Sequence, residues 1–185
     1  TVAQALEARV DYEQHQVFRE GHRTAVRAFP MSVDFEAIDN EARSPAVAQE
    51  VIRLKQTLGL SDQIIGVGMD RIDYTKGIPH RFRAMGRFLE KFPEYIEKVV
   101  LVQAGVISRI QVDAYQQLSA QIEELLEEVN GKFGRDGWQP IIYMPTDLPG
   151  LTLMALRRMA RFCVVSSLHD GMNLVAKEYV ASRYD

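Results

Sequence analysis

Short apolar runs alternate with amphipathic segments along most of the chain. The apolar runs are 64–69, 99–103, 140–144 and 162–166, and segments of helical periodicity lie at about 79–91, 111–129 and 149–160. Strands rich in β-branched residues that alternate with such helices form parallel sheets with right-handed crossovers. The pattern therefore predicts a doubly wound α/β domain.

The segment before residue 60 is less regular. Residues 22–30 alternate polar and apolar side chains, which predicts a strand, and 31–43 predict irregular structure. Ser44 followed by Pro45 is typical of an N-cap and first helical turn, and Gly59 marks the end of that helix.

The long helix predicted at 111–129 has one apolar face. That face carries Val112, Tyr115, Leu118, Ile122, Leu125 and Val129, whereas Glu123, Glu124, Glu127 and Glu128 point away from it. We interpret the four glutamates as a solvated surface and not as a metal site.

Composition excludes several classes of protein. The formal net charge of −3 over 185 residues argues against a general nucleic-acid surface, which needs a clustered basic excess. No apolar run approaches the roughly 20 residues of a membrane span, and no signal-peptide pattern is present. The single cysteine, Cys163, lies in an apolar run and predicts a buried core residue, not a catalytic thiol. The four histidines lack metal-ligand spacing and no Asp-x-Asp occurs, so we expect a cytoplasmic, metal-independent protein.

Ligands of doubly wound sheets bind at the carboxyl ends of the strands, which selects the loops 68–77, 104–110, 144–149 and 167–173. The first of these reads GMDRIDYTKG, and its Arg71 and Lys76 could together offset the charge of a diphosphate. Alternatively, Arg71 pairs with Asp70 or Asp73 and Lys76 is solvated. The glycine spacings of a P-loop and of a dinucleotide fingerprint are absent, so neither an ATPase nor a nicotinamide enzyme is supported.

The loop 167–173, SLHDGMN, has the features of an anion site at a helix start. Gly171 permits close approach of the backbone to a ligand, and the main-chain amides of 171–175 would be unpaired donors there. Asp170 is then either an N-cap or an acceptor for sugar hydroxyls. Glu178, two helical turns along, either accepts from ribose hydroxyls or is a surface helix residue.

Three further positions near the strand ends are candidates of weaker signal. Arg109 follows a predicted strand end and either binds a second anion or is merely an exposed basic residue. By side chain alone, Met172 and Leu174 are most simply packing residues.

Three long segments, GMDRIDYTKGIPHRF, VNGKFGRDGWQPIIY and SLHDGMNLVAKEYVAS, closely resemble the trehalose-6-phosphate synthase family of retaining glycosyltransferases. The resemblance runs in the same order from about residue 22 to the last residue. It implies a GT-B fold, in which two Rossmann-like domains face each other across the active-site cleft. Residues 1–30 would be the tail end of the N-terminal acceptor domain and the inter-domain connection. Residues 31–185 would be a truncated C-terminal, nucleotide-sugar-binding domain, whose last strands and helices are missing.

The resemblance also implies an activity, the transfer of glucose from UDP-glucose to glucose 6-phosphate with retention of configuration. The products would be α,α-trehalose 6-phosphate and UDP, with no metal and no cofactor beyond the co-substrate. Arg71 and Lys76 would bind the donor diphosphate, Asp170 the donor glucose, and Arg109 the acceptor phosphate. Leu148 would contact the uracil through its backbone and Glu178 would bind the ribose. The further implied donor contacts are Gly171, Met172, Asn173, Leu174 and Val175. His169 departs from the family, which commonly has arginine at that position.

Several alternatives stay open at this stage. The base contact is largely through backbone, so UDP, GDP and ADP donors are not distinguished, and a related glucosyltransferase such as a glucosylglycerol-phosphate synthase using ADP-glucose fits the same motifs. A non-catalytic sugar-nucleotide-binding module and an α/β domain without a ligand are the other two readings. The partners implied are the two substrates and the missing N-terminal domain of the same protein. We expect neither a nucleic-acid partner nor a membrane partner. The oligomeric state, monomer or homo-oligomer, stays open. Without the N-terminal half, we expect this piece to be inactive alone.

Overall fold

The computed structural model describes residues 7–106 and 113–184, and of residues 113 and 114 it describes the backbone. The chain divides into two compact units, Thr1–Ser32 and Val33–Asp185. The first unit contains an antiparallel sheet of three strands, β1 (Arg9–Asp11), β2 (Gln16–Arg19) and β3 (His22–Ala25), in the order β1-β2-β3. The strand predicted at 22–30 is therefore right for its first half and wrong beyond Ala25.

The second unit is built on a four-stranded parallel sheet. Its strands are β4 (Ile64–Met69), β5 (Val99–Ala104), β6 (Ile141–Met144) and β7 (Phe162–Cys163), in the spatial order β6-β5-β4-β7. Every residue of β5 is buried, as is all of β4 after Ile64. Strands covered on both faces are rich in Val, Ile and Leu, which explains the continuous apolar runs in the sequence.

Six α-helices of the described residues accompany this sheet. They are α1 (Phe35–Ala42), α2 (Pro45–Thr57), α3 (Ile78–Lys91), α4 (Asp113–Phe133), α5 (Gly150–Met159) and α6 (Leu174–Ala181). The chain steps from β4 to β5 to β6 in one direction and then crosses back to β7 on the other side of β4. Right-handed crossovers consequently place α3 and α4 on one face and α5 on the other, and α3 packs on α4 while α2 packs on α5. The carboxyl ends of β4 and β7 form the switch point of the sheet, where such domains bind ligands.

Most of the predicted elements of this unit are confirmed. The Ser44 side chain accepts from the Val47 amide and caps α2, with Pro45 in its first turn. Along α4 the apolar face is buried at Tyr115, Leu118, Ile122, Leu125 and Val129, and the four glutamates are exposed. Val112 lies outside the described residues.

Two predictions about elements of this second unit are wrong. Residues 35–42 form α1, although 31–43 predict irregular structure. Asp34 caps this helix by accepting from the Ala37 amide, and only Ala42 among its residues is buried, so the apolar pattern was too weak to show it. The strand at 162–166 pairs only at Phe162–Cys163, because the chain then turns toward the loop after β4, where Ser166 Oγ contacts the carbonyls of Lys76 and Gly77.

Within the described part of the chain, no helix combines the length and apolar character that a membrane span needs.

Candidate functional site

The loops after β4 and β7 meet at the switch point of the sheet. Asp73 accepts from the amide of Thr75 at 2.9 Å and from its hydroxyl at 2.8 Å, and so caps the single 3-10 turn that carries Lys76. The Lys76 ammonium lies 2.7 Å from Asp170 Oδ2 in the loop after β7. Two residues that the sequence places 94 positions apart therefore form one ion pair.

Gly77 allows the two loops to approach this closely. Its φ of +64° is in the left-handed region that favours glycine, and a Cβ built there would overlap the Ser166 carbonyl oxygen. The backbone after Lys76 thus packs directly on the backbone after β7, which fixes where the ammonium emerges.

Asp170 is an acceptor in this arrangement. Its Oδ2 also accepts from Ser167 Oγ and Asn173 Nδ2, each at 3.2 Å. The Lys76 hydrogen bond, before all other causes, lowers the pKa of Asp170 to about 2, so the group is a carboxylate throughout the neutral range. Its second oxygen, Oδ1, makes no hydrogen bond to the described residues. One oxygen thus holds the loop together and the other is available to a ligand.

A buried polar network lies beneath the cleft. Arg81 from α3 is 2% exposed, and its Nη2 lies 2.8 Å from Asp70 Oδ2 as a close charge contact without good hydrogen-bond alignment. Arg81 also donates to Gln103 at the end of β5 and, from Nε, to Ser166 Oγ at 3.2 Å. Burial raises the pKa of Asp70, and the nearby guanidinium opposes that rise. This network ties together the carboxyl ends of β4, β5 and β7.

The two carboxylates nearest to Arg71 in the sequence have other hydrogen-bond or ion-pair partners. Asp70 pairs with Arg81, and Asp73 accepts from Thr75 and from the Tyr115 hydroxyl. Arg71 makes no ion pair with Asp70. Burial raises the pKa of Asp73, but hydrogen bonds from Thr75 and Tyr115 and the nearby charge of Arg71 lower it overall, so an interaction of Arg71 with Asp73 stays open. The alternative of a solvated Lys76 is wrong, because that side chain is paired and 18% exposed.

A cleft of about 380 Å³ opens between these loops. Most of the residues predicted to bind the donor line it, namely Arg71, Lys76, Leu148, Asp170, Met172, Asn173, Leu174 and Val175. Gly171 does not line it, and a Cβ built on Gly171 would meet nothing within 4 Å. Glu178 does not line it either, but its carboxylate accepts from Arg157, which does. The structure thus gathers most of the predicted donor residues in one cleft, and their roles toward a ligand stay predictions.

The helix start after the loop differs from the prediction. Helix α6 begins at Leu174, and Asn173 is its N-cap, accepting from the Ala176 amide at 3.0 Å. Asp170 is therefore not the cap, and the amides of 171–173 are not part of the helix. The first-turn amides left for an anion are those of Leu174 and Val175, both in the cleft wall.

Sequence reasoning missed Arg81 and Arg157. Both lie within helices, where a basic residue is ordinarily on the solvent side, and only the packing of distant elements shows their partners. Arg109 lies outside the described residues, as does the rest of 107–112. Cys163 is half-buried, and burial raises the pKa of its thiol, which does not favour a reactive thiolate.

A doubly wound parallel sheet with a charged cleft at its switch point defines the Rossmann-like class of α/β domain. Within that class, the sequence profile of glycosyltransferase family 20 matches residues 1–185, and the chain belongs to this family. The predicted family and fold class are confirmed.

Relatives of known name agree with this assignment. The chain is 41% identical over 164 residues to alpha,alpha-trehalose-phosphate synthase [UDP-forming] 2 of Aspergillus fumigatus, covering 89% of this chain and 34% of that protein. It superimposes on E. coli trehalose-6-phosphate protein bound with UDP-2-fluoro glucose with a TM-score of 0.86 and 31% identity, over 99% of this chain and 40% of the other.

A third relative is known with a sugar phosphate. The UDP-forming alpha,alpha-trehalose-phosphate synthase of Burkholderia xenovorans in complex with glucose-6-phosphate matches with a TM-score of 0.84 and 34% identity, over 91% of this chain and 36% of that one. The chain thus spans little more than a third of the length of these relatives.

Proposed function

We propose that the complete protein transfers glucose from UDP-glucose to glucose 6-phosphate with retention of configuration, giving α,α-trehalose 6-phosphate and UDP. The observation that carries the proposal is the Lys76–Asp170 pair at 2.7 Å, which lines the same cleft at the switch point as the exposed Arg71. The named relatives support it, since they are UDP-forming synthases and include complexes with UDP-2-fluoro glucose and glucose-6-phosphate. This chain supplies the donor half of the site.

The two cations act on the departing diphosphate. As the glucosyl–oxygen bond breaks, negative charge grows on UDP, and Arg71 and Lys76 stabilise that charge together with the amides of Leu174 and Val175. Such fixed donors contribute most in a closed cleft from which water is excluded. Lys76 can bridge the phosphate and Asp170, because an ammonium has three donors.

Asp170 binds the transferred sugar. A carboxylate with a pKa of about 2 only accepts hydrogen bonds at neutral pH, and glucose hydroxyls are donors. Oδ1 is the oxygen open to them. Asp170 therefore binds the sugar and does not act as a nucleophile. We infer a front-face substitution, in which the acceptor hydroxyl oxygen bonds to the glucosyl carbon as the bond to the phosphate oxygen breaks, and that phosphate oxygen takes the hydroxyl proton.

The remaining assignments belong to the same proposal. Leu148 contacts the base through its backbone, Glu178 the ribose, and Arg109 the acceptor phosphate. Gly171, Met172 and Asn173 shape the sugar and phosphate end. The reaction needs no metal or cofactor, takes place in the cytoplasm, and requires the acceptor-binding domain of the complete protein.

Release of UDP from the complete protein tests the proposal. UDP-, ADP- and GDP-glucose are each supplied with and without glucose 6-phosphate, and nucleotide release is followed together with the sugar phosphate formed. We expect release from UDP-glucose that depends on glucose 6-phosphate. Preference for ADP-glucose with another acceptor would indicate a glucosylglycerol-phosphate synthase instead, and binding without turnover would indicate a non-catalytic module.

A matched pair of variants links the activity to this cleft. Arg71→Ala removes a charged hydrogen-bond partner worth about 1.5–3 kcal/mol, so donor binding or turnover falls roughly 10- to 150-fold. Arg83→Ala removes an exposed arginine outside the cleft and leaves the kinetics unchanged. Equal kinetics for both variants would contradict the assignment of Arg71.

A further inference from the structure

The cleft is joined to a second ion pair, away from Lys76. Arg157, in the last turn of α5, lines the cleft and donates from Nη2 to Glu178 Oε2 on α6. The Arg157 side chain is 14% exposed and that of Glu178 is 30% exposed. The pair is thus largely withdrawn from water and connects the two helices that border the cleft.

An apolar stretch separates this pair from the phosphate end. Leu153 lies one turn before Arg157 on α5, Val175 lies three residues before Glu178 on α6, and both line the cleft. At about 1.5 Å per residue, Glu178 is roughly 7.5 Å along the axis of α6 from its cap at Asn173. The site therefore has two polar ends joined by an apolar wall.

Both ends have the same construction. A cation holds one oxygen of a carboxylate, Lys76 on Asp170 Oδ2 and Arg157 on Glu178 Oε2. The second oxygen, Oδ1 or Oε1, makes no hydrogen bond to any residue in the described ranges. A carboxylate with one held and one free oxygen is oriented to accept from a hydroxyl of a ligand.

We propose that Arg157 is a positioning residue for the nucleoside end of the donor, holding Glu178 so that its free oxygen accepts from the ribose hydroxyls. The inference rests on the proposed function, from which the ribose contact of Glu178 is taken. A glutamate side chain loses rotational freedom about several bonds when it is ordered. Because the guanidinium fixes that side chain before the ligand arrives, the entropic cost of ordering it is not added to the cost of binding. The Nε of Arg157 is buried and makes no hydrogen bond to the residues that the structure describes, so this guanidinium is one hydrogen bond short of full satisfaction there.

Binding of UDP and of 2′,3′-dideoxy-UDP to the complete protein tests the inference. Calorimetric titration gives the ratio of the two dissociation constants for the wild type, Glu178→Gln, Arg157→Leu and Arg157→Lys. We expect the wild type to prefer UDP by roughly 10-fold or more, since the analogue lacks both hydroxyls. Arg157→Leu and Glu178→Gln bring the ratio close to one with little change for dideoxy-UDP, and Arg157→Lys restores part of it. Arg161→Leu, an exposed arginine just after α5, keeps the wild-type ratio.

The outcomes separate the possible failures. A wild-type ratio in Arg157→Leu, with a lower melting temperature, would make the pair purely structural and overturn the inference. Wild-type ratios in both Arg157→Leu and Glu178→Gln would remove Glu178 from the ribose site while leaving glucosyl transfer intact. If the wild type binds neither nucleotide, the proposed function itself fails. Should Arg157→Leu not fold, Arg157→Gln, which keeps the length and removes the charge, takes its place.

Discussion

Replacing Arg81 by methionine removes the buried guanidinium and keeps much of the volume of its stem. The side chain of Asp70, 4% exposed, then loses its counter-ion, and the Gln103 side chain, fully buried, loses a donor. Ser166 Oγ, which lies 3.3 Å from the Lys76 carbonyl, loses the donor that fixes it. The side-chain network that joins the strand ends beneath the proposed donor site is therefore lost.

The cost follows from the burial of the pair. Removing one partner of a buried ion pair destabilises a protein by about 3–5 kcal/mol, because the other charge is left uncompensated. Asp70 can reduce this cost by taking up a proton, since burial already raises its pKa and the opposing guanidinium is gone. The folded variant then binds more protons than the unfolded chain between the ordinary and the raised pKa. Its stability consequently falls as the pH rises through that window, and the loss is largest at neutral pH and above.

Urea unfolding of a double-mutant cycle measures this effect. The set comprises the wild type, Arg81→Met, Asp70→Asn and the double variant, followed by the fluorescence of Trp138, the one tryptophan in the chain and a buried one. We expect the double variant to lose about 0.5–3 kcal/mol less than the sum of the single variants. Arg83→Met, exposed on the same helix, should change the free energy of unfolding by less than about 0.5 kcal/mol. An additive cycle, or a neutral-pH loss for Arg81→Met as small as that control's, would refute the reasoning.

Three further predictions concern single residues of the complete protein. Lys76→Met should weaken UDP-glucose binding roughly 10- to 150-fold. It also removes the main cause that lowers the pKa of Asp170, so that pKa moves back toward its ordinary value of 3.8, and titrations from pH 7 to pH 3 should show binding lost at a higher pH than in the wild type. A wild-type acid profile in that variant would argue against the pairing. Gly171→Ala should leave the free energy of unfolding unchanged or raise it by up to about 1 kcal/mol, because no atom lies within 4 Å of the new methyl group. The same variant should bind the donor more weakly. Gly131→Ala, equally open, serves as its control, and equal donor affinity for both would remove Gly171 from the site. Arg109→Ala should raise the KM for glucose 6-phosphate more than that for UDP-glucose, and equal increases in steady-state assays would point to a structural role.

The sheet could be predicted from the sequence because its strands are buried on both faces. Continuous apolar runs such as 99–102 belong in the buried interior of a globular domain, and the helices between them show their buried face directly. Helix α1 could not be predicted, since it buries little and depends on a cap and on neighbours from α5 and α6. The early end of β7 depends on the contacts of Ser166, which no local pattern contains.

The loops of the site could be predicted, but their pairing could not. The rule for strand ends selected the loops of Arg71, Lys76 and Asp170, which the fold then brings into one cleft. Sequence alone left Lys76 either on a phosphate or in solvent, and its partner Asp170 comes from packing. The same is true of Arg81 and Arg157, whose partners lie at least 11 positions away in the chain and become visible only when the strand ends and helices meet.

The position of UDP in the complete protein tests the central claim most directly. A crystal structure of the complex with UDP should show diphosphate oxygens within hydrogen-bond distance of Arg71 and Lys76, at the start of α6, with the ribose toward Glu178. Density for UDP elsewhere on the protein, or in this cleft without contact to either cation, would contradict the assignment of the switch-point cleft as the donor site.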